Sequence, residues 1–215
     1  VHPEKQICSF ILVLAAAIAC ADSDSGTTGE SDPIPESEQP PSGKARVVMK
    51  DGRRMANDLA AALELDRADV CRELGQYDCV RDVHRIALGG VEPYELGFEE
   101  PLPVSAVAAP LAAERLALSA CATRADRDFD RPDEASQFGS LAAAPESAEA
   151  RAETVTGLYR DILARDPTES ELDALNDLHR DVVRELEDAS PQETAREWAL
   201  LSCFAIATSL EEIFY

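Results

Sequence analysis

From Arg46 onward the apolar residues of this chain recur at three- and four-residue intervals, and nowhere do they sustain a two-residue alternation. A half-buried strand needs that alternation, whereas a half-buried helix needs the longer spacing. The pattern therefore excludes a sheet-based core and points to packed helices. Two capping boxes sharpen it. Thr168-Glu169-Ser170-Glu171 and Ser190-Pro191-Gln192-Glu193 each put a hydroxyl at a helix start and a carboxylate three residues later. Pro191 takes the first helical position, where its missing N–H costs nothing.

The helix begun at Thr168 carries Leu172, Leu175, Leu178, Val182 and Leu186 at core spacing, and the one begun at Ser190 carries Trp198, Leu201 and Phe204. An earlier helix is expected over 148–165, with Val155, Leu158, Tyr159 and Ile162 inward and Asp166-Pro167 as its stop. Upstream, 47–49 reads as a short strand followed by an Asp51-Gly52 turn. A helix is expected over 55–73, with Leu59, Leu63, Val70 and Leu74 near one face and Gly75 as its cap. Asp78 caps a second one over 79–88, in which Val80, Val83 and Ile86 are apolar, and Gly89-Gly90 ends it. The stretch 90–109 holds three prolines and reads as irregular. Pro110 starts a helix that runs to 123, and 124–147 reads as a polar surface connection with at most one short helix. The fold class is all-α: an antiparallel helical bundle over 45–215.

Aromatics make up only 5% of the chain, so the core must be built from Ala, Leu, Val and Ile. Such a core buries little area per residue, which gives cross-links unusual weight. Cys71, Cys79, Cys121 and Cys203 are an even set, as an oxidising compartment favours. Four cysteines allow three pairings. Cys71–Cys79 with Cys121–Cys203 is preferred, because the short turn between the first two keeps them close. There is no C-x-x-C for redox work and no haem-attachment sequence.

The leader fits that compartment. Residues 10–19 read FILVLAAAIA, too short to span a bilayer and suited to the apolar part of a signal peptide. Val1 as first residue is consistent with a GTG start and an unprocessed precursor. Ala17-Ile18-Ala19-Cys20 resembles a bacterial lipobox, which would make Cys20 the lipidated N-terminus of the mature chain. The domain layout expected is signal peptide 1–19, lipidated Cys20 with an acidic linker to 44, and a helical domain over 45–215. The linker is rich in Ser, Asp, Glu, Pro and Gly and has almost no apolar residues, so burial cannot offset its ordering entropy. Its Asp22 and Asp24 read as solvated. The location expected is the outer membrane or cell surface, lipid-anchored; a periplasmic or freely secreted protein is the alternative.

Forty-two acidic residues against 20 basic ones give a formal net charge of -22. Phosphate backbones repel such a surface, so nucleic acid is excluded as a partner. Asp126, Asp128 and Asp130 have the 1-3-5 spacing of a calcium loop, but Arg131 stands where its glycine belongs and Gln137 where its glutamate belongs. A solvated charged loop is the reading preferred. His84, five residues after Cys79, matches no compact zinc spacing. His179, on an expected exposed face, has no G-x-S-x-G nucleophile to serve. No catalytic residues and no cofactor are assigned.

Residues 158–172, LYRDILARDPTESEL, resemble an element in helical modules of bacterial surface proteins, including the domain related to phycobilisome linkers. A similar element stands near the C-terminus of large secreted proteins of planctomycetes and myxobacteria, followed by stretches like Trp198-Ala199-Leu200-Leu201 and 209–214 here. Those proteins usually have Gly where this chain has Ala164. The resemblance implies no catalytic residue; Tyr159, Arg160 and Arg165 are expected to brace a helix-turn-helix. The function expected is a non-catalytic, lipid-anchored envelope module binding another envelope protein; Tyr94 and Phe98 in 90–109 offer a candidate contact surface, although a loop packed over its own bundle is the reading preferred for that segment. The alternative is an accessory or degenerate subunit of a secreted enzyme or electron-transfer system, one that could bind calcium.

Overall fold

Met49 pairs with Phe214 in an antiparallel bridge, so both ends of the helical domain meet. A computed structural model describes residues 48–100 and 108–214, all within one unit, 45–215. The leader, Cys20 and the acidic linker lie outside the described residues. Helices dominate: α1 (Gly52–Ala62), α2 (Ala108–Asp130), α3 (Gly139–Ala143), α4 (Ala148–Leu163), α5 (Glu169–Glu185), α6 (Pro191–Ala207) and α7 (Leu210–Ile213).

α6 is the hub, packing against α2, α4 and α5. It can do so because one face is small and apolar: Ala195, Ala199, Cys203 and Ala207 are buried beside Trp198 and Ile206. α2 answers with Ala113, Leu116, Ala117, Ala120 and Cys121, and small side chains on both helices permit close approach. The Cys121–Cys203 disulfide fastens this pair. Trp198 is fully buried, and its Nε1–H donates to the Leu175 carbonyl of α5 at 2.9 Å, as a buried indole requires. Both capping boxes form as expected, with the Glu171 and Glu193 carboxylates accepting from the Thr168 and Ser190 backbone amides.

The N-terminal third departs from the sequence reading. Asp51-Gly52 is no turn: Asp51 caps α1, its Oδ1 accepting from the Arg54 amide at 2.8 Å. Gly52 sits there because an added Cβ would stand 2.6 Å from Leu88 Cβ. α1 ends at Ala62 rather than continuing to 73, which lets Leu63, Leu65 and Val70 all reach the core from a non-helical chain. Leu74 is 86% exposed, not on a core face. It and Gly75, both with positive φ, reverse the chain between the short strands β1 (Arg72–Glu73) and β2 (Tyr77–Asp78). Gly75 is thus a hairpin residue rather than a helix cap. The Cys71–Cys79 disulfide closes this hairpin. Asp78 does act as a cap, accepting from the Val80 and Arg81 amides, but the helix expected over 79–88 is only a wide π-type turn, Cys79–Val83.

The second correction concerns 124–147. α2 runs on to Asp130, and Phe129, Phe138 and Leu141 are buried. The segment is half core, not a surface connection.

Candidate functional site

The hairpin and the π-type turn support an exposed apolar ledge. His84, leaving that turn, meets Glu73 at 2.7 Å, and Arg115 of α2 meets the same carboxylate at 2.9 Å, so the hairpin is held against α2. Gly89 and Gly90 then redirect the chain; a Cβ on Gly90 would stand 2.8 Å from the Arg85 carbonyl oxygen. Glu92 and Phe98 exchange backbone hydrogen bonds of 2.9 Å, and Arg85 pairs with the Glu92 side chain. This small loop lifts apolar side chains outward: Tyr94 is 95% exposed and Leu96 62%. Phe98, Val83 and, on α2, Leu111 and Leu118 are exposed as well. Below them lie two adjoining concavities that share Ala87 and Ala108, about 620 and 510 Å³ in volume. The first adds Ile86, Leu96 and Phe98; the second adds Leu111, Leu118 and Phe204. Charged side chains share these walls, Arg81, Asp82, Glu92 and Glu95 in the first and Glu114 and Arg115 in the second.

The three aspartates of the calcium-like spacing are not in a loop. Asp126, Asp128 and Asp130 occupy the last turns of α2, where a two-residue step turns each side chain well away from the last. Asp126 pairs with Arg196 on α6. Asp130 faces solvent. Asp128 is fully buried and pairs with Arg124, while its oxygens accept the amides of Ser136, Gln137 and Phe138 at 3.3, 2.9 and 2.8 Å. This carboxylate folds the loop after α2 back onto that helix and inserts Phe138 into the core. The solvated-loop reading fails for it. Among the described residues no cluster of His, Cys, Asp and Glu has the arrangement of a metal site.

The brace expected around 158–172 is present. α4 ends on Ala164 in the left-handed conformation, φ 54°. That turn presents Arg165 to Glu171 on α5 and to Glu211 on α7, with contacts of 2.7–3.1 Å, and lays its guanidinium 5.0 Å from the Tyr159 ring centre. Arg165's hydrogen bonds hold the Glu171 carboxyl down at about 2, and Glu211 is lowered by the same guanidinium. Arg160 closes the turn on Asp166 at 2.6 Å. At the domain's ends, half-buried Lys50 and buried Glu212 meet at 2.7 Å; burial raises the Glu212 pKa despite this partner.

Two sites had no sequence signal recognised. One is the Asp128 anchor, for which the 121–125–129 apolar spacing of α2 was the available clue. The other is a cleft of about 300 Å³ where α4, α5 and α6 meet, holding Arg151 and His179. His179 is half-buried and edge-on to Trp198, 5.9 Å between ring centres, rather than on an exposed face.

Among the described residues no helix is long and apolar enough to cross a membrane. Comparison with known proteins gives no match: no family model, no curated protein and no solved structure.

Proposed function

We propose that this protein is a non-catalytic helical module of the bacterial cell envelope, lipid-anchored through Cys20, that docks another envelope protein on the ledge around Leu96 and Leu111. The observation that carries this reading is the ledge itself: a loop closed by the Glu92–Phe98 bridge that holds Tyr94 and Leu96 out to water beside exposed Leu111 of α2. Exposing such side chains forfeits the burial that would stabilise the fold. The two disulfides suit an extracellular or periplasmic location. The lipobox-like AIAC sequence and the acidic linker supply an anchor and a tether of some twenty residues, and the resemblance of 158–172 to surface-protein modules agrees with the same setting.

The test has two arms. Mass spectrometry of the mature N-terminus should find Cys20 acylated; an unmodified Cys20, or a start beyond it, removes the anchor. A photoreactive amino acid placed at Leu111 in growing cells should cross-link one envelope protein. Leu96→Asp should abolish that cross-link while leaving the melting temperature unchanged, because Leu96 is 62% exposed. Loss of neither the cross-link nor its specificity in L96D would show that the ledge is not the docking face.

A further inference from the structure

In a chain with an excess of carboxylates, many arginines rest against one, as Arg127 does on Asp69 and Arg165 on Glu171. Arg151 does not. Its Nη1 donates to the Glu146 carbonyl at 3.2 Å, its Nε is buried with no acceptor, and among the described residues no carboxylate pairs with it. Across the same cleft, His179 makes no hydrogen bond among the described residues. Burial, together with the Arg151 charge, lowers the His179 pKa, so the imidazole is neutral at pH 7 and one ring nitrogen carries a hydrogen. Arg151 and His179, neither paired with a carboxylate among the described residues, thus line one small cavity.

The remaining walls define what would meet them. Val183, Leu186 and Pro191 form an apolar side, and the Glu146 and Glu187 side chains lie at the exposed rim. A bare anion would be drawn to Arg151 and repelled by this rim. A ligand that carries its own cation satisfies both. The volume, about 300 Å³, is at the small end of ligand pockets.

We propose that this cleft binds a free apolar amino acid as its zwitterion. The carboxylate would pair with the Arg151 guanidinium and accept from His179, the ammonium would face Glu187 and Glu146, and the aliphatic side chain would lie on Val183, Leu186 and Pro191. This site is separate from the ledge and does not depend on the docking reading.

Trp198 supplies the readout, since it is the chain's one tryptophan and His179 packs on its edge. The purified full chain is titrated with leucine, with leucinamide and with 4-methylpentanoate while tryptophan fluorescence is followed. Leucine should give a saturable change at millimolar concentration. Leucinamide, lacking the carboxylate, should give none. 4-Methylpentanoate, lacking the ammonium, should bind at least tenfold more weakly, and E187Q should narrow that gap. R151Q should abolish the leucine response. To separate lost binding from lost folding, R151Q is also followed by NMR: a folded R151Q should show the His179 pKa raised. A further variant, H179Q, should weaken leucine at least fivefold. No saturable response to leucine overturns the proposal, as does an unchanged response in folded R151Q; equal affinity for 4-methylpentanoate and leucine overturns the zwitterion assignment.

Discussion

Removing the two disulfides separately should cost unequal amounts. The Cys121–Cys203 bridge spans 82 positions and the Cys71–Cys79 bridge 8. In the chain-entropy model a cross-link stabilises by restricting the unfolded ensemble, by about 4.5 kcal/mol for the long loop and about 2.6 kcal/mol for the short one. All four cysteines are buried, so substitution to alanine leaves a small cavity in either pair and adds no buried hydroxyl. That packing loss enters both variants and largely cancels from their difference. C121A/C203A should therefore lie about 2 kcal/mol below C71A/C79A in unfolding free energy. The assay is urea unfolding followed by circular dichroism at 222 nm, extrapolated to water, with the m-value compared as well. Freeing the long loop lets the unfolded chain expand and should raise m, since m tracks the surface exposed on unfolding. Equal costs for the two double variants, or a larger cost for C71A/C79A, would refute the entropic reasoning. Free reaction of all four cysteines with a thiol reagent in native protein from the envelope would refute the compartment as well.

Individual residues give further expected outcomes. Ala164 holds a left-handed φ of 54°, so A164G should stabilise by about 0.5–1 kcal/mol in the same urea assay. Gly52 opens α1, where propensity alone favours alanine, yet G52A should destabilise by about 1–3 kcal/mol because its Cβ meets Leu88 at 2.6 Å; an increase in stability would show that this contact relaxes freely. D128A strands Arg124 and three backbone amides and should cost about 3–5 kcal/mol, whereas calcium should not shift the melting temperature of the parent. A calcium-induced rise in thermal scans would contradict the structural role of Asp128. Glu171 is lowered from 4.5 to about 2, so its contribution is complete above its unfolded value and is lost as pH falls toward about 2. E171Q should be less stable than the parent at neutral pH and should converge with it at the acid end; a constant gap across an acid titration would disprove the linkage.

The C-terminal half was legible because its signals are local. Thr168, Glu171, Ser190 and Glu193 satisfy amides within their own first turn, so the sequence contains both partners of every bond. Leu175, Val182 and Trp198 fall on the faces their spacing assigns. The N-terminal third and 124–147 were less legible because their partners are remote. Asp51-Gly52 has the composition of a turn; Asp51 instead caps α1, and the remote approach of Leu88 is what requires glycine at 52. Asp128 looks like one solvated carboxylate among many, and only Arg124 and the returning loop make it a core residue.

The apolar periodicity, the capping boxes and the four paired cysteines determined that this chain becomes a disulfide-stapled set of helices, because each acts through backbone geometry over one or two turns or through a choice among few pairings. The two surfaces proposed as binding sites were decided by tertiary structure. The ledge exists because residues far apart, Leu96 and Leu111, share one side of the domain. The cleft exists because α4, α5 and α6 bring Arg151, His179 and Pro191 together. Solvent access and an unmet hydrogen bond are properties of what surrounds a group, and a linear sequence does not specify surroundings.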